Sequence, residues 1–142
     1  MSMTPEISEK LHESFAKQSM MSTFGARIDE IRHGQVTLHA PINEGCMQQH
    51  GFAHAALTFG LGDSAAGYSA LSVMPLEAEV LTSEMKIHLL APAKGERLEA
   101  VGKVIKPGKR LVIVQAEVFA VSDSTRTQVA LMTGTMVPVL PK

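Results

Sequence analysis

The sequence predicts an α+β protein in which an antiparallel β-sheet wraps around one long central α-helix. Residues 54–72 are rich in Ala and Leu and contain no proline, which favours a helix of about five turns. The segments after this helix alternate apolar and polar residues and are joined by short turns, as in an antiparallel meander. One apolar helix and one such sheet form a two-layer unit, so we expect residues 1–142 to be a single domain.

The N-terminal segment, residues 1–22, is expected to form a helix that ends near Met20. Thr4 can cap this helix, Pro5 suits its first position, and Glu6 lies near the positive end of its dipole. Apolar residues then recur at every fourth position, which gives the helix one stripe that can pack: Ile7, Leu11 and Phe15.

Two strands are predicted before the central helix and four after it. Residues 24–40 are typical of a hairpin, and the stretch that follows, to Gly51, is expected to be irregular. The later strands are predicted at 78–90, at 96–106, around an apolar series that falls on one side of a long strand, and at 127–137. The apolar series is Val112, Val114, Ala116, Val118 and Ala120.

Strict alternation within residues 78–90 assigns the side chains of this strand to two faces. The first face is apolar and the second is polar. The apolar face contains Leu81, Met85, Ile87 and Leu89, and the polar face contains Thr82, Glu84, Lys86 and His88.

The composition is that of an ordinary globular protein with little net charge. The formal net charge is −1 and no basic stripe is present, so nucleic acid is not an expected partner. The single cysteine, Cys46, excludes an internal disulfide and fits a reducing compartment. No signal-peptide pattern is found, and the weakly charged stretch 54–74 is a poor membrane span because it contains Asp63 and three glycines. We therefore expect a cytoplasmic protein with no membrane partner.

Asp63 is the only Asp, Glu, Lys or Arg within residues 46–76. Its neighbours on a helix are mostly small, and glycine inside a helix costs about 1 kcal/mol relative to alanine. Gly60, Gly62 and Gly67 therefore indicate the close approach of another backbone or of a ligand. Because an unpaired buried carboxylate is costly, this face is either a cavity with a reactive group or a tight contact with a satisfied Asp. We favour the cavity, with substrate lying against the small face.

The start of the same helix offers a second set of polar groups. The amides of Ala55 and Ala56 are among its free N–H groups, which can hold a developing oxyanion, and Gln48 in the preceding loop can reach the same oxygen or a water. Asp63 lies nine residues after His54. At 1.5 Å per residue this is about 13 Å along the helix axis, too far to act on the same carbonyl. One subunit cannot assemble the site, whereas two antiparallel helices across a dimer can.

These positions resemble the hotdog-fold acyl-CoA thioesterases of the phenylacetate-degradation (PaaI) type. That family has a loop Asn or Gln, then an HGG motif at the start of the central helix, then an acid nine residues after the His, usually within LADSA. In this chain Gln48, the HAA triplet at 54–56 and Asp63, within LGDSA, occupy those places.

Two downstream stretches add to the resemblance, which covers residues 24–137. The sequence LAPAKG at 90–95 is similar to the PA-x-G end of a family strand, and GKR at 108–110 is similar to the GK or GR hairpin that follows. Thr82 matches a Ser or Thr that helps to orient the attacking water.

The resemblance implies a hotdog fold and hydrolysis of an acyl-CoA thioester without a cofactor. The Ala55 N–H would polarise the carbonyl, Gln48 would hold the carbonyl or the water, and Asp63 from a partner subunit would act as general base or as nucleophile. His54 is expected to fix the start of the helix, with substrate contact as the alternative. A homodimer or homotetramer is implied.

The phosphates of CoA require positive charge at the surface. Lys106, Lys109 and Arg110 are the candidates, and a solvated turn is the alternative interpretation of these residues.

Two other functions remain open. The Cβ of Ala55 narrows the approach to the helix start, which fits a non-catalytic acyl-CoA-binding protein. A hotdog hydratase or dehydratase would use His54 beside an acid. A metal site is not expected, because His50 and His54 have no adjacent third ligand. A serine nucleophile is not expected either, because GDSAAG does not match G-x-S-x-G.

Overall fold

The computed structural model describes residues 3–142. The elements are α1 (Pro5–Ala16), α2 (Ser19–Phe24), β1 (Arg27–Arg32), β2 (Gln35–Pro41), a 3₁₀ turn (Glu44–Cys46), α3 (Ala55–Leu71), β3 (Glu79–Leu89), β4 (Arg97–Pro107), β5 (Val112–Ser122) and β6 (Thr125–Val139). No helix in this described part of the chain is long and apolar enough to cross a membrane.

The six strands form one antiparallel sheet in the order β1-β2-β4-β5-β6-β3, and α3 packs on its inner face. The α+β prediction, with a sheet around one long helix, is confirmed. The apolar series on β5 is buried as expected: Val112, Val114, Ala116, Val118 and Ala120. The meander is limited to β4, β5 and β6, because α3 carries the chain across the sheet and delivers β3 to the far edge beside β6.

The N-terminal segment contains two helices, so the predicted single helix ending near Met20 is wrong. The capping prediction holds, because the Thr4 hydroxyl accepts a hydrogen bond from the Ile7 N–H at 3.2 Å. The break falls at Lys17 and Gln18. It turns the chain so that Met21 becomes buried against the core. The first two residues of the predicted 1–22 segment lie outside the described residues.

Two of the three helical glycines are explained by packing within the chain. A Cβ on Gly60 would lie 2.8 Å from the Phe24 ring, and one on Gly62 would lie 2.3 Å from the Met132 sulfur. A Cβ on Gly67 would meet only the Met136 methyl at 3.9 Å. The interpretation that substrate explains the whole small face of the helix is therefore wrong, and only the part at Gly67 is open.

A β-bulge at Ser83 corrects the predicted faces of β3. The register shifts between Thr82 and Glu84, which pair with the consecutive residues Met136 and Thr135 of β6. The extra residue changes which positions of the strand share a face. Thr82 therefore points to the helix side together with Met85. Leu81 points outward and is 61% exposed. Strict alternation would have placed Thr82 on the opposite face.

Candidate active site

Asp63 and Thr82 form a hydrogen-bonded pair between α3 and β3. The Thr82 hydroxyl donates a hydrogen bond to Asp63 Oδ1 at 2.8 Å. The Thr82 hydroxyl oxygen also lies 3.3 Å from the Met136 sulfur. A hydroxyl has one proton, and the carboxylate is the stronger acceptor, so the bond to Asp63 takes it. The bulge at Ser83 brings these two side chains together, as bulges often do at functional sites.

Burial is the main influence on the Asp63 carboxyl. Desolvation raises its pKa from the ordinary value of 3.8, and the hydrogen bond from Thr82 opposes this rise because it stabilises the ionised form. A carboxyl with a raised pKa is a better proton acceptor than an exposed one, which suits a general base.

The start of α3 leaves one amide free. His54 is the N-cap, and its Nδ1 accepts a hydrogen bond from the Ala56 N–H at 2.9 Å. The ring proton of neutral His54 is therefore on Nε2. The Ala55 N–H has no acceptor among residues 3–142. Of the two amides proposed from the sequence, Ala55 alone is available to an oxyanion.

The Gln48 side chain closes the loop before α3. Its carboxamide oxygen accepts hydrogen bonds from the N–H groups of His50 and of Phe52, the latter at 3.3 Å. These two donors fix the orientation of the amide, and its NH₂ group has no acceptor within residues 3–142. Gln48 can therefore donate a hydrogen bond to a substrate carbonyl beside Ala55.

The structure divides the predicted site residues between two cavities. Gln48, His54 and Ala55 line a cavity of about 620 Å³ whose remaining walls are mostly apolar. Asp63 and Thr82 line a smaller cavity of about 150 Å³. The two cavities share no lining residue, so Ala55 and Gln48 do not face the same space as the Asp63 carboxylate of the same chain.

The predicted phosphate-binding residues are exposed at the turn between β4 and β5: Lys106, Lys109 and Arg110. None of them lines either cavity. Pro107 and Met136 both pair with Val112, and Met136 also pairs with Thr82. The basic turn therefore lies at the same end of the sheet as Thr82 and at the opposite end from Leu89, which lines the Ala55 cavity.

Three site residues were not anticipated from the sequence. Ser14, Gln18 and Tyr68 line the Asp63 cavity. The break between α1 and α2 that places Gln18 there depends on contacts with α3, which are distant in sequence. No group of three or more His, Cys, Asp or Glu side chains within residues 3–142 is arranged to hold a metal ion.

Comparison with known proteins assigns the chain to a family. The model of the thioesterase superfamily matches residues 50–127, which is more than half of the chain and includes His54, Asp63 and Thr82. The chain belongs to the thioesterase superfamily. The coarse expectation from the sequence, a hydrolase of thioesterase type, is confirmed.

The chain is also similar to individual proteins in sequence and in structure. A thioesterase family protein from Silicibacter pomeroyi is 41% identical and superposes with a TM-score of 0.93 over 95% of this chain and 99% of that chain. The PaaI protein of E. coli, from the phenylacetic acid degradation operon, superposes with a TM-score of 0.86 over 97% of this chain and 96% of its own, at 19% identity. An inferred esterase of Saccharolobus solfataricus is 26% identical over 78% of this chain and 73% of the relative. The thioesterase fold of this chain is the hotdog fold.

Proposed function

We propose that this thioesterase hydrolyses acyl-CoA thioesters, in the manner of the PaaI type, at a site shared between two copies of the chain. The observation behind this proposal is the separation of the Ala55 N–H and the Asp63 carboxylate into two cavities at different positions along α3. Each cavity contains half of the groups that thioester hydrolysis requires.

The exposed edge of the sheet supports the assembly. Within residues 3–142, β3 pairs only with β6, so its outer edge has unpaired backbone groups. The strand has an exposed leucine near each end, Leu81 at 61% and Leu89 at 58%. A second β3 that pairs with this edge about a twofold axis lies antiparallel to it. The start of one strand, near Thr82, then lies beside the end of the other, where Leu89 lines the Ala55 cavity. Such pairing brings Asp63 of the partner subunit towards the Ala55 cavity.

The proposed chemistry starts with a polarised carbonyl. The Ala55 N–H and the Gln48 NH₂ group donate hydrogen bonds to the thioester oxygen and stabilise its negative charge as the tetrahedral intermediate forms. In the general-base route, Asp63 of the partner subunit takes a proton from water as the water oxygen attacks the carbonyl carbon. The intermediate then expels the CoA thiolate as the C–S bond breaks and the C=O bond of the acid re-forms. The proton held by Asp63 passes to the thiolate or to solvent, which regenerates the carboxylate.

A nucleophilic route uses the same residues. The Asp63 carboxylate attacks the carbonyl carbon, the CoA thiolate leaves, and water hydrolyses the resulting acid anhydride. In both routes Thr82 positions the Asp63 carboxylate by donating a hydrogen bond to it. Because the hydroxyl proton is used in that bond, Thr82 can orient a water only by accepting a hydrogen bond from the water.

Release of free CoA from a panel of acyl-CoAs tests the proposal. Asp63→Asn is expected to lower kcat by at least about 100-fold on the preferred substrate, the range found when a general base is lost. The variant should stay folded, because a neutral amide of the same shape replaces a charge that burial disfavours.

Asp123→Asn is the matched control, since it makes the same chemical change at an exposed turn residue. It should retain the activity of the parent protein. If the folded parent protein releases no CoA from any thioester but binds acyl-CoA, the chain is a binding protein and HAA in place of HGG is the reason.

A further inference from the structure

The cavity at Asp63 has a polar wall that the thioester chemistry does not use. Tyr68 follows Asp63 on α3 and is only 3% exposed. Its hydroxyl accepts a hydrogen bond from Gln18 Nε2 at 2.6 Å and makes another with Ser14 Oγ at 3.1 Å. These three residues, Ser14, Gln18 and Tyr68, line the cavity together with Asp63 and are called the tyrosine cluster below.

The tyrosine cluster retains hydrogen-bonding capacity for a ligand. The hydroxyls of Ser14 and Tyr68 have one proton each, and their mutual hydrogen bond uses only one of the two. Gln18 donates its own N–H to Tyr68 and so consumes neither hydroxyl proton. One hydroxyl is therefore free to donate to a ligand oxygen, and the hydroxyl oxygens retain lone pairs that can accept from a ligand hydroxyl.

The tyrosine cluster is held rigidly. Phe15 packs on Tyr68 edge to face, with ring centroids 6.0 Å apart and an interplanar angle of 60°. The Phe24 ring lies against the backbone at Gly60. Two aromatic contacts thus fix α1 and α2 on α3. Two members of the tyrosine cluster, Ser14 and Gln18, lie outside the residues 50–127 that the family model matches. A preorganised polar wall is the usual basis of ligand selection.

The two cavities differ in a way that suits the two parts of an acyl-CoA. The Ala55 cavity is about 620 Å³ and mostly apolar, which suits the long pantetheine arm. The Asp63 cavity is about 150 Å³, has mainly polar walls and is bounded by the tyrosine cluster. Its volume corresponds to roughly five molecules of liquid water, which suits an acyl group of a few carbons or one small ring.

We propose that the Asp63 cavity is the acyl subsite and that the tyrosine cluster selects short acyl groups whose far end bears a hydroxyl or keto oxygen. This inference rests on the proposed thioesterase function and deepens it, because it names the chemistry of the acyl group. A methyl group at the far end of the acyl chain leaves the free hydroxyl of the tyrosine cluster without a ligand partner, whereas an oxygen there satisfies it.

Pairs of thioesters that differ only at the far end of the acyl chain test this selection. An ω-hydroxyacyl-CoA is compared with the methyl-ended acyl-CoA of equal heavy-atom count, for example 4-hydroxybutyryl-CoA with pentanoyl-CoA, over chains of three to six carbons. The parent protein is expected to favour the hydroxylated member of the best pair by roughly 3- to 10-fold in kcat/KM, the effect of one neutral hydrogen bond. The same preference is expected for a keto group.

Two combined variants remove the selecting groups and preserve the packing. Ser14→Ala with Tyr68→Phe removes both hydroxyls and keeps the ring contact with Phe15, and Gln18→Met added to this pair also removes the amide donors. Both are expected to bring the ratio for the hydroxylated and methyl-ended thioesters close to 1. Ser19→Ala, at an exposed neighbour of Gln18, should leave the ratio unchanged.

The outcomes distinguish the inference from the function on which it rests. Hydrolysis with equal rates for both members of every pair, or an unchanged ratio in both variants, would overturn the acyl subsite and leave the thioesterase function intact. Absence of hydrolysis of every thioester by the folded parent protein would refute the proposed function and this inference together.

Discussion

At the scale of single residues, the contact between Thr82 and Asp63 determines how the site responds to pH. Burial raises the pKa of the Asp63 carboxyl, and the Thr82 hydroxyl lowers it by donating to the ionised form. The carboxylate must be ionised to accept a proton or to attack a carbonyl. Activity is therefore expected to fall as the pH decreases through this raised pKa.

Thr82→Val is predicted to move the acidic limb of the pH profile of kcat/KM to higher pH. Valine keeps the shape of threonine but removes the hydroxyl, so the effect of burial on the Asp63 pKa is no longer opposed. Thr82→Ser keeps a donor and should keep the limb near that of the parent protein. The measurement is kcat/KM against pH for the three proteins. A limb at unchanged or lower pH in Thr82→Val would show that the hydroxyl does not stabilise the carboxylate.

At the scale of elements, α3 presents functional groups at its start and near its middle. The free Ala55 N–H is at its first residue, and Asp63 faces β3 about two turns later. His54 keeps the helix start in place by accepting the Ala56 N–H. This contact supports a structural role for His54, and it can be tested apart from chemistry.

His54→Ala is predicted to lower the free energy of unfolding by about 1 kcal/mol, the usual value of an N-cap side chain. His54→Asn should restore most of this stability, because its side-chain oxygen can accept the same N–H. Denaturant unfolding measures both values, and CoA release measures activity in parallel. An unchanged free energy of unfolding in His54→Ala would contradict the capping role. A stable but inactive His54→Asn protein would indicate that the imidazole also contacts substrate.

The elements also show how far the sequence alone predicts this protein. Some features of the sequence are local: residues 54–72 lack proline, helix starts have capping signals, and strands alternate with a period of two. These features made α3, the hairpin and the buried face of β5 predictable. Gln48, His54 and Asp63 were predicted as site residues from their spacing and from a family resemblance.

The remaining features depend on contacts between residues distant in sequence. The bulge at Ser83 leaves no trace in the composition of β3, although it aims Thr82 at Asp63. The break at Lys17 and Gln18 follows from aromatic packing on α3. Gly60 and Gly62 were attributed to substrate, and only the fold shows that Phe24 and Met132 occupy the space beside them. The tyrosine cluster was missed for the same reason.

At the scale of the whole molecule, a shared site is the central claim. Two variants can each disable one half of it without disturbing the fold. Asp63→Asn removes the carboxylate. Ala55→Pro removes the N–H that would hold the oxyanion, and proline is well tolerated at the first position of a helix. The extended backbone of His54, at φ −65° and ψ 143°, suits the residue before a proline.

The most direct test is complementation between these two variants. Asp63→Asn and Ala55→Pro proteins are mixed, exchanged through mild denaturation and refolding, and assayed for CoA release. A mixed dimer contains one site with both Asp63 and the Ala55 N–H intact, so random pairing is predicted to restore about a quarter of the parent activity. Two inactive variants that stay inactive after verified exchange of subunits would contradict the shared site and place both groups on one chain.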